Sequence, residues 1–246
     1  MGIKRYFLCP DIHVPLHSKQ FISLTIKIIK LIKPDGFVSL GDGLDFHQIS
    51  SYDKDPARKN TIGDDIAEYN QIINQWSAAM PNGSVMHFLS GNHETRLQRY
   101  VSKNARDLFE ICRPIQELLR FPERNAEGKH RWIWHPYEKW NSLRIGNCTL
   151  MHGFYYNQHV AMTALAKYKT SCVFGHVHRF QYVTDGTHFA CALGHGSDEK
   201  FTAHQPTPTL WQQACAILTV VDGVSTLEPI LVNKGRCVYG GKEISA

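Results

Sequence analysis

The fold of this chain is decided by the stretch Arg5-Tyr6-Phe7-Leu8-Cys9-Pro10-Asp11-Ile12-His13, an apolar run that ends in a carboxylate and an imidazole. Its first part, Arg5 to Cys9, is typical of a buried strand. A helix is predicted from the N-cap residue Ser18 to Lys33, with apolar residues at helical spacing. Residues 37–40 form the next predicted strand. This strand, helix and strand in succession predict a parallel pair joined by a right-handed crossover.

Four further segments repeat this arrangement of an apolar run followed by metal-type ligands. They are Gly41-Asp42-Gly43-Leu44-Asp45, Gly91-Asn92-His93-Glu94, Met151-His152-Gly153 and Gly175-His176-Val177-His178. The runs before them, at residues 37–40, 85–90, 148–151 and 171–174, are predicted strands. Ligands at the ends of separate strands can converge above one sheet edge. Together they are enough for two cations that share a carboxylate, a device for cleaving phosphate esters.

The composition favours one cytoplasmic domain. The 246 residues, 43% of them hydrophobic, fit a single α/β domain. The 27 Lys and Arg against 22 Asp and Glu give a formal charge of +5, which is compatible with a polyanionic substrate without requiring one. Seven cysteines without a Cys-x-x-Cys pair, and no signal-type segment, indicate reduced thiols. No stretch is long and apolar enough to span a bilayer, so no membrane partner is expected.

The rest of the chain predicts helices followed by a largely β region. Helices are predicted at 64–80 and over most of 94–119, and residues 121–137 are predicted to be irregular. Strand candidates are 143–145, 147–151, 171–174, 179–184, 188–193, 215–221 and 226–232, with one helix at 159–168. We therefore expect a single α/β (α+β) domain over residues 1–246, a two-sheet β-sandwich flanked by helices. Residues 95–140 are expected to contribute a cap or lid insertion.

The ligand types indicate which cations would bind. Mixed oxygen and nitrogen donors suit manganese, iron, zinc or nickel better than calcium. Asp11 and His13 are two residues apart, so in an extended segment both can reach one cation. Asp42 follows a strand and a glycine, where one carboxylate could bridge two cations. His93 stands beside an amide ligand and could donate a proton to a leaving group, with Asp45 orienting its imidazole.

In order and spacing, these motifs resemble those of the calcineurin-like metallophosphoesterases, from residue 11 to residue 178. The fold of that family is a β-sandwich flanked by helices. The resemblance implies one metal held by Asp11, His13 and His178, a second held by Asn92, His152 and His176, a bridging Asp42, and a catalytic pair of His93 and Asp45. It implies two divalent cations as cofactors, with Mn²⁺ expected and iron, zinc or nickel as alternatives.

Finer comparison within that family narrows the function. The stretches 11–17, 46–51, 91–96 and 175–179 are most similar to small phosphoesterases encoded by phages and prophages. The Ser/Thr protein phosphatases carry Arg-Gly where this chain has Phe46-His47, and that arginine holds their phosphate. Its absence speaks against a protein phosphatase. Glu94 speaks against a repair nuclease of the family, which usually has Asp there.

The expected reaction is hydrolysis of a phosphate ester by hydroxide held on the two cations. A phosphodiester in nucleic acid, such as DNA, or in a nucleotide is the first choice of substrate. The alternatives are a phosphomonoesterase, acting on phosphoprotein or a small metabolite, and an inactive binding module of the same fold. Arg96 and His195 are candidate substrate contacts, each equally compatible with a structural role.

The stretch 120–140 is a candidate nucleic-acid contact because it combines cations with aromatic rings. Its cationic side chains are Arg120, Arg124, Lys129, His130 and Arg131. Trp132, Trp134 and Trp140 could stack on bases, although tryptophans are more often core residues.

Overall fold

A computed structural model describes residues 2–51, 53, 54, 56–138, 142–198 and 209–246 of the chain. The strands are β1 (Lys4–Cys9), β2 (Gly36–Ser39), β3 (Val85–Leu89), β4 (Arg131–His135), β5 (Leu143–Ile145), β6 (Cys148–Met151), β7 (Ser171–Phe174), β8 (Phe180–Thr184), β9 (Phe189–Leu193), β10 (Gln213–Val221), β11 (Val224–Val232), β12 (Arg236–Tyr239) and β13 (Lys242–Ser245). The helices are α1 (Lys19–Ile32), α2 (Ile62–Ala79), α3 (Thr95–Asn104), α4 (Ile115–Leu118), α5 (Phe121–Ala126) and α6 (Val160–Tyr168), with 3₁₀ helices at His47–Ile49 and Arg106–Ile111.

Two sheets form the centre of the molecule. The first has the strand order β11-β10-β1-β2-β3-β4, and the second has the order β5-β6-β7-β9-β8. Strands β1 to β4 run parallel to one another, as do β6, β7 and β9. The carboxyl ends of parallel strands share one edge of a sheet, and ligands bind outside that edge in open α/β folds. The loops after β1, β2 and β3 therefore lie together, as do those after β6 and β7.

Side-chain alternation along the strands creates the layers. In β1, Phe7 and Cys9 belong to the core under α1 and α2, whereas Leu8 belongs to the core between the two sheets. Leu150 and Val173 reach the same inter-sheet core from the second sheet. The outer face of the second sheet is covered by α6. This order of helix, sheet, sheet and helix confirms the expected helix-flanked sandwich.

The first helix has the predicted bounds and stabilises the strand crossover. The hydroxyl of Ser18 accepts the backbone N–H of Phe21, and Lys33 ends the helix in a left-handed conformation. The indole N–H of Trp76 on α2 donates to the hydroxyl of Thr25 on α1 at 3.0 Å. This buried bond joins the two helices over β1 and β2.

The prediction of an irregular stretch at residues 121–137 is wrong. This stretch contains α5 and the strand β4, which pairs in parallel with β3. Trp132 on β4 is 5% exposed and packs against Phe88 and Phe121. The strand escapes the sequence pattern because it is an edge strand with an exposed basic residue, Arg131, and only Trp132 deeply buried. A cap role for residues 95–140 stays a prediction, although β4 itself belongs to the central sheet.

Two other parts of the chain bear on earlier expectations. The hairpin of β12 and β13 was not predicted, although Gly240 and Gly241 mark its turn. Trp140, and residues 52 and 55 of the predicted loop 52–58, lie outside the described residues.

None of the helices in the described ranges has both the length and the apolar character needed to cross a bilayer. All seven cysteines are free thiols, and six of them are buried.

Candidate metal centre

The ligand-bearing segments meet at the carboxyl ends of five strands. Asp11 follows β1, Asp42 follows β2, Asn92 follows β3, His152 follows β6 and His176 follows β7. Three groups of donor atoms, each within 4.8 Å of one another, are Asp11 with His13 and His178, Asp42 with His152 and His176, and His13 with Asp45 and His93. All the carboxylates and imidazoles expected from the sequence at this centre thus come together.

Asp42, Asn92, His152 and His176 direct four donor atoms at one another. The Nε2 atom of His152 lies 3.2 Å from Asp42 Oδ2, 3.0 Å from Asn92 Oδ1 and 3.3 Å from His176 Nδ1. Asn92 Oδ1 lies 2.9 Å from His176 Nδ1. Ligand atoms bound at about 2.1 Å at octahedral or tetrahedral angles lie about 3.0–3.4 Å apart. These four distances therefore match the spacing of ligands around one cation.

The imidazole of His152 is oriented from behind the cluster. Its Nδ1 lies 3.0 Å from the carbonyl oxygen of Leu40, so Nδ1 carries a proton and Nε2 faces the other donors. Burial alone would lower the pKa of His152, but the carboxylates of Asp42 and Asp11 raise this pKa to about 9. The carboxylates around this fully buried imidazole therefore favour a positive charge at its position.

Asp11, His13 and His178 form a second cluster beside the first. His178 Nε2 lies 3.3 Å from Asp11 Oδ2 and 2.9 Å from His13 Nε2. Two imidazole nitrogens at that distance need a proton or a cation between them. The other carboxylate oxygen, Asp11 Oδ1, is buried without a hydrogen-bond partner. Leaving a buried carboxylate oxygen unpaired is costly, and a cation would remove this cost.

Asp42 lies between the two clusters. Its Oδ2 is 3.2 Å from His152 Nε2 and 3.9 Å from His13 Nε2, while its Oδ1 accepts the backbone N–H of His93. Burial favours the neutral acid, but the imidazoles of His152 and His93 hold the pKa of Asp42 well below its usual range. Asp42 is therefore an ionised carboxylate that faces both clusters, as a bridging ligand must.

The backbone of the centre departs from ordinary conformations. His13, Asp42, His176 and His178 have φ values of 52°, 47°, 73° and 59°, in the left-handed region that side chains other than glycine rarely adopt. Such conformations cost of order 1–3 kcal/mol each and cluster at functional sites. Gly175 is needed for space, because a Cβ there would collide with the carboxylate of Asp11. The surrounding sheets hold this strained geometry in place.

The predicted pair of His93 and Asp45 is in contact at the edge of the clusters. His93 Nδ1 lies 2.9 Å from the carbonyl oxygen of Asp45 and 3.2 Å from its Oδ1, and Nε2 lies 3.7 Å from Asp42 Oδ2. Arg96 donates to both His93 Nε2, at 2.9 Å, and the carbonyl oxygen of Asp45, at 2.7 Å. Burial would lower the pKa of His93, but Asp42 and Asp45 raise it above its ordinary value.

Asp45 is shared between two imidazoles. Its Oδ1 lies 3.4 Å from His13 Nδ1 as well as 3.2 Å from His93 Nδ1. Burial opposes ionisation, but the bonds to these imidazoles lower the pKa of Asp45. Arg58 adds a further contact, with its Nη1 at 3.4 Å from Asp45 Oδ2. Asp45 thus orients both a candidate metal ligand and the candidate acid.

His195 lies behind the second cluster, next to His178. It is 1% exposed, and its ring centroid is 5.5 Å from that of His178. The Trp211 ring contacts both, at 4.3 Å from His178 and 5.3 Å from His195. His195 Nδ1 accepts the backbone N–H of Ser197. So deep a position favours support of the His178 ring over the substrate contact considered from the sequence.

Glu94 has a role that the sequence did not reveal. It is 3% exposed, and its carboxylate accepts the backbone N–H groups of Gly91 at 2.7 Å and of Asp42 and Leu44 at 3.0 Å. These bonds tie the loop after β2 to the loop after β3 and so fix Asp42. Since two of the donors are about fifty residues away along the chain, no local pattern could have indicated this function.

Two residues of the expected nucleic-acid contact are structural. Arg124 is 7% exposed and donates to the Leu119 carbonyl and to the side-chain oxygens of Asn70 and Asn74. Trp132 is buried in the helix-covered core. Each side chain therefore offers a substrate only a small exposed fraction. Of the other cationic residues in this stretch, Arg120, Lys129 and Arg131 are exposed, whereas His130 is buried.

Comparison with known proteins supports the fold. No family model matches the chain, and no curated protein matches its sequence. The chain is similar to the structure of Vacuolar Protein Sorting 29 from Cryptosporidium parvum, with a TM-score of 0.52 at 13% identity over 100% of both chains. Two other solved structures are less similar in fold, and no conclusion is based on them. They are Yfce, a phosphoesterase from E. coli (TM-score 0.47, 15% identity, 98% of both chains), and a predicted phosphoesterase from Streptococcus pneumoniae TIGR4 (TM-score 0.40, 14% identity, 100% of this chain and 99% of that one).

At such identities the likeness concerns the fold alone. That fold is the calcineurin-like metallophosphoesterase fold, a mixed α/β architecture with sheets flanked by helices, as the motifs predicted.

Proposed function

We propose that this protein is a dinuclear metal-dependent phosphoesterase. The proposal rests on the convergence of the donor atoms around Asp42, whose Oδ2 lies within 4 Å of imidazoles from both clusters. Asp11, His13 and His178 would hold one cation, Asn92, His152 and His176 the other, and Asp42 both. The mixed donors fit Mn²⁺, with iron, zinc or nickel as alternatives. When bound, two such cations neutralise phosphate oxygens and activate water for attack.

The chain's own residues would complete the reaction. As the bond between phosphorus and the leaving oxygen breaks, the proton on His93 Nε2 would pass to that oxygen. The Nδ1–H of His93, donated to Asp45, would keep the ring aligned. Arg96, which already reaches His93 Nε2, would bind a phosphate oxygen through its guanidinium.

The substrate that we propose is a phosphodiester of nucleic acid or of a nucleotide. Phe46 is fully buried, so the position at which protein phosphatases carry a phosphate-binding arginine offers no such contact here. The formal charge of +5 and the likeness of the motifs to phage-encoded phosphoesterases favour the same substrate class. The free thiols fit a reducing compartment, and we propose the cytoplasm, that of the host cell if a phage encodes the chain.

A phosphomonoesterase is the second candidate. The observation in its favour is the burial of Arg124 and Trp132, which removes two contacts from the surface that would have held a polynucleotide. A monoester needs no such surface. An inactive binding module is the third candidate, and it differs from the other two in having no turnover.

A panel of esters tests the function. The Mn²⁺-loaded protein would be assayed with para-nitrophenyl phosphate, bis-para-nitrophenyl phosphate, and single- and double-stranded DNA. We expect hydrolysis with preference for the diesters, and loss of turnover in Asp42→Asn. The matched control is Asp185→Asn, an exposed carboxylate in the turn between β8 and β9. Preference for the monoester would favour the phosphomonoesterase. No turnover with manganese, iron, zinc or nickel would favour the inactive binding module.

A further inference from the structure

Tyr156 is an exposed aromatic residue beside the candidate metal centre. Tyr156 is 80% exposed, and its ring centroid lies 6.3 Å from that of His176 at an interplanar angle of 58°. Tyrosine rings normally gain stability by packing in a core or an interface. This ring instead leaves a broad apolar face open to any group bound next to His176.

The loop that carries Tyr156 is fixed by side chains from another segment. The guanidinium of Arg179 donates to the carbonyl oxygens of Tyr156 at 3.2 Å and Asn157 at 2.9 Å. The amide of Gln181 on β8 donates to the carbonyl oxygen of Gln158 at 2.6 Å. Three consecutive carbonyls are therefore held from the same side. The backbone of such a loop is already ordered, so a ligand that stacks on the ring loses less entropy on binding.

Arg179 also connects Tyr156 to the aromatic residue on the other side of the centre. Its backbone forms a β-bridge with Trp211, whose ring meets that of His178 edge-on at 4.3 Å. Trp211 is packed and partly buried, whereas Tyr156 is open. Each metal cluster thus has an aromatic neighbour, and of these two residues Tyr156 is the largely exposed one.

We infer that Tyr156 is a stacking platform for a nucleobase attached next to the scissile phosphate, and that Arg179 is the residue that positions it. The inference rests on the proposed phosphoesterase function and specifies a subsite of the same centre. A ring face stacks on any base, because every base has an aromatic face. The Nη2 atom of Arg179 is engaged by two carbonyl oxygens of the loop, and what the exposed Tyr156 residue offers a base is chiefly the face of its ring. The subsite would accept different bases.

Two diesters with the same leaving group test the platform. The first is the para-nitrophenyl ester of thymidine 5′-monophosphate, which carries a base, and the second is methyl para-nitrophenyl phosphate, which does not. We expect Tyr156→Ala to lower the ratio of kcat/KM between the first and the second about tenfold, mainly through KM. Tyr156→Phe, which keeps the ring, should retain the ratio. Tyr182→Ala is the control, since Tyr182 is an exposed tyrosine of β8 that stacks on Phe189.

The positioning role of Arg179 is tested on the same two esters. Arg179→Met leaves the Tyr156 ring in the chain but removes the bonds to its loop, so the ratio should fall as in Tyr156→Ala, again through KM. Arg179→Lys, which can still donate to carbonyl oxygens, should restore part of the ratio. A fall in kcat on both esters alike would mean that Arg179 acts only on folding or on the neighbouring His178.

The outcomes separate the platform from the proposed function. If the wild-type protein hydrolyses both esters and Tyr156→Ala changes them equally or not at all, the platform is refuted and the phosphoesterase stands. If the wild type hydrolyses neither, the proposed function fails. Calorimetry with the Mn²⁺-loaded protein then decides about the platform. Tyr156→Ala should weaken binding of thymidine 5′-monophosphate more than binding of inorganic phosphate, and an equal effect would overturn the inference.

Discussion

The guanidinium of Arg96 lies 2.9 Å from His93 Nε2, the nitrogen that faces the metal clusters. A guanidinium can only donate, so Nε2 accepts in this arrangement, and the ring proton is on Nδ1 toward Asp45. An acid at this position needs a proton on Nε2. A bound phosphate would offer the Arg96 guanidinium a stronger, charged acceptor. Once Arg96 had turned to the phosphate, His93 Nε2 would be free to take up a proton from solvent. In the proposed mechanism, Arg96 would therefore link substrate binding to the protonation of His93.

Replacing Arg96 should impair catalysis without removing metal. We expect Arg96→Met to lower kcat/KM about 10²-fold, the usual effect of losing one donor to a developing charge. Arg96→Lys should retain only part of the wild-type kcat/KM, because an ammonium group lacks the two-pronged guanidinium that spans His93 and Asp45. Steady-state kinetics and metal analysis measure both quantities. Arg99→Met, on an exposed position of the same helix, is the control. Full activity in Arg96→Met would remove Arg96 from the site.

Replacing His93 should separate acid catalysis from metal binding. We expect His93→Asn to lower turnover of alkyl esters about 10²–10⁴-fold while both cations stay bound. The loss should be smaller with nitrophenyl esters, because a weakly basic leaving group needs little protonation. The measurements are turnover on both ester classes and metal content of the purified variant. Metal lost together with activity would identify His93 as a ligand.

The glycine before His176 tests the packing of the centre. A Cβ on Gly175 would collide with the carboxylate of Asp11, so Gly175→Ala should displace that ligand. We expect metal affinity to fall about 10–100-fold, as when a ligand loses its orientation. Gly63→Ala is the control, because a Cβ there lies 3.6 Å from Thr61 in ordinary contact. Unchanged Mn²⁺ affinity in Gly175→Ala, measured by calorimetry, would mean that Asp11 is not a ligand.

Arg124 should matter for stability and not for substrate choice. Arg124→Met removes the bonds to Leu119, Asn70 and Asn74, so we expect the free energy of unfolding to fall by about 2–4 kcal/mol. The ratio of DNA cleavage to nitrophenyl ester cleavage should stay at the wild-type value. Urea denaturation and the two assays test this. A selective loss of DNA cleavage in a fully stable variant would restore Arg124 to a nucleic-acid contact.

Much of the fold could be predicted because its signals are local. The β1 strand, the α1 helix capped by Ser18 and the metal-type ligands after five strands are all encoded within short windows of sequence. Within each sheet the parallel strands place their carboxyl ends at one edge, and the packing of the two sheets then brings the two groups of ligands together.

The features that were missed depend on contacts between distant parts of the chain. Strand β4 is recognisable only from its pairing with β3, because its own residues alternate poorly between buried and exposed. Glu94 fixes the loop after β2 by accepting backbone N–H groups that approach its carboxylate only in the folded protein. The burial of Arg124 likewise results from the approach of α2, which supplies Asn70 and Asn74. No window of sequence around these residues contains that information.

The number of Mn²⁺ ions bound per chain, measured by isothermal titration calorimetry on the wild type, Asp42→Asn and Asp185→Asn, tests the central claim most directly. A carboxylate whose Oδ2 lies 3.2 Å from His152 Nε2 and 3.9 Å from His13 Nε2 should serve both cations. We expect two ions in the wild type and in Asp185→Asn, and weakened binding at both sites in Asp42→Asn. A single ion in the wild type, or two ions bound with unchanged affinity in Asp42→Asn, would contradict the shared-carboxylate centre.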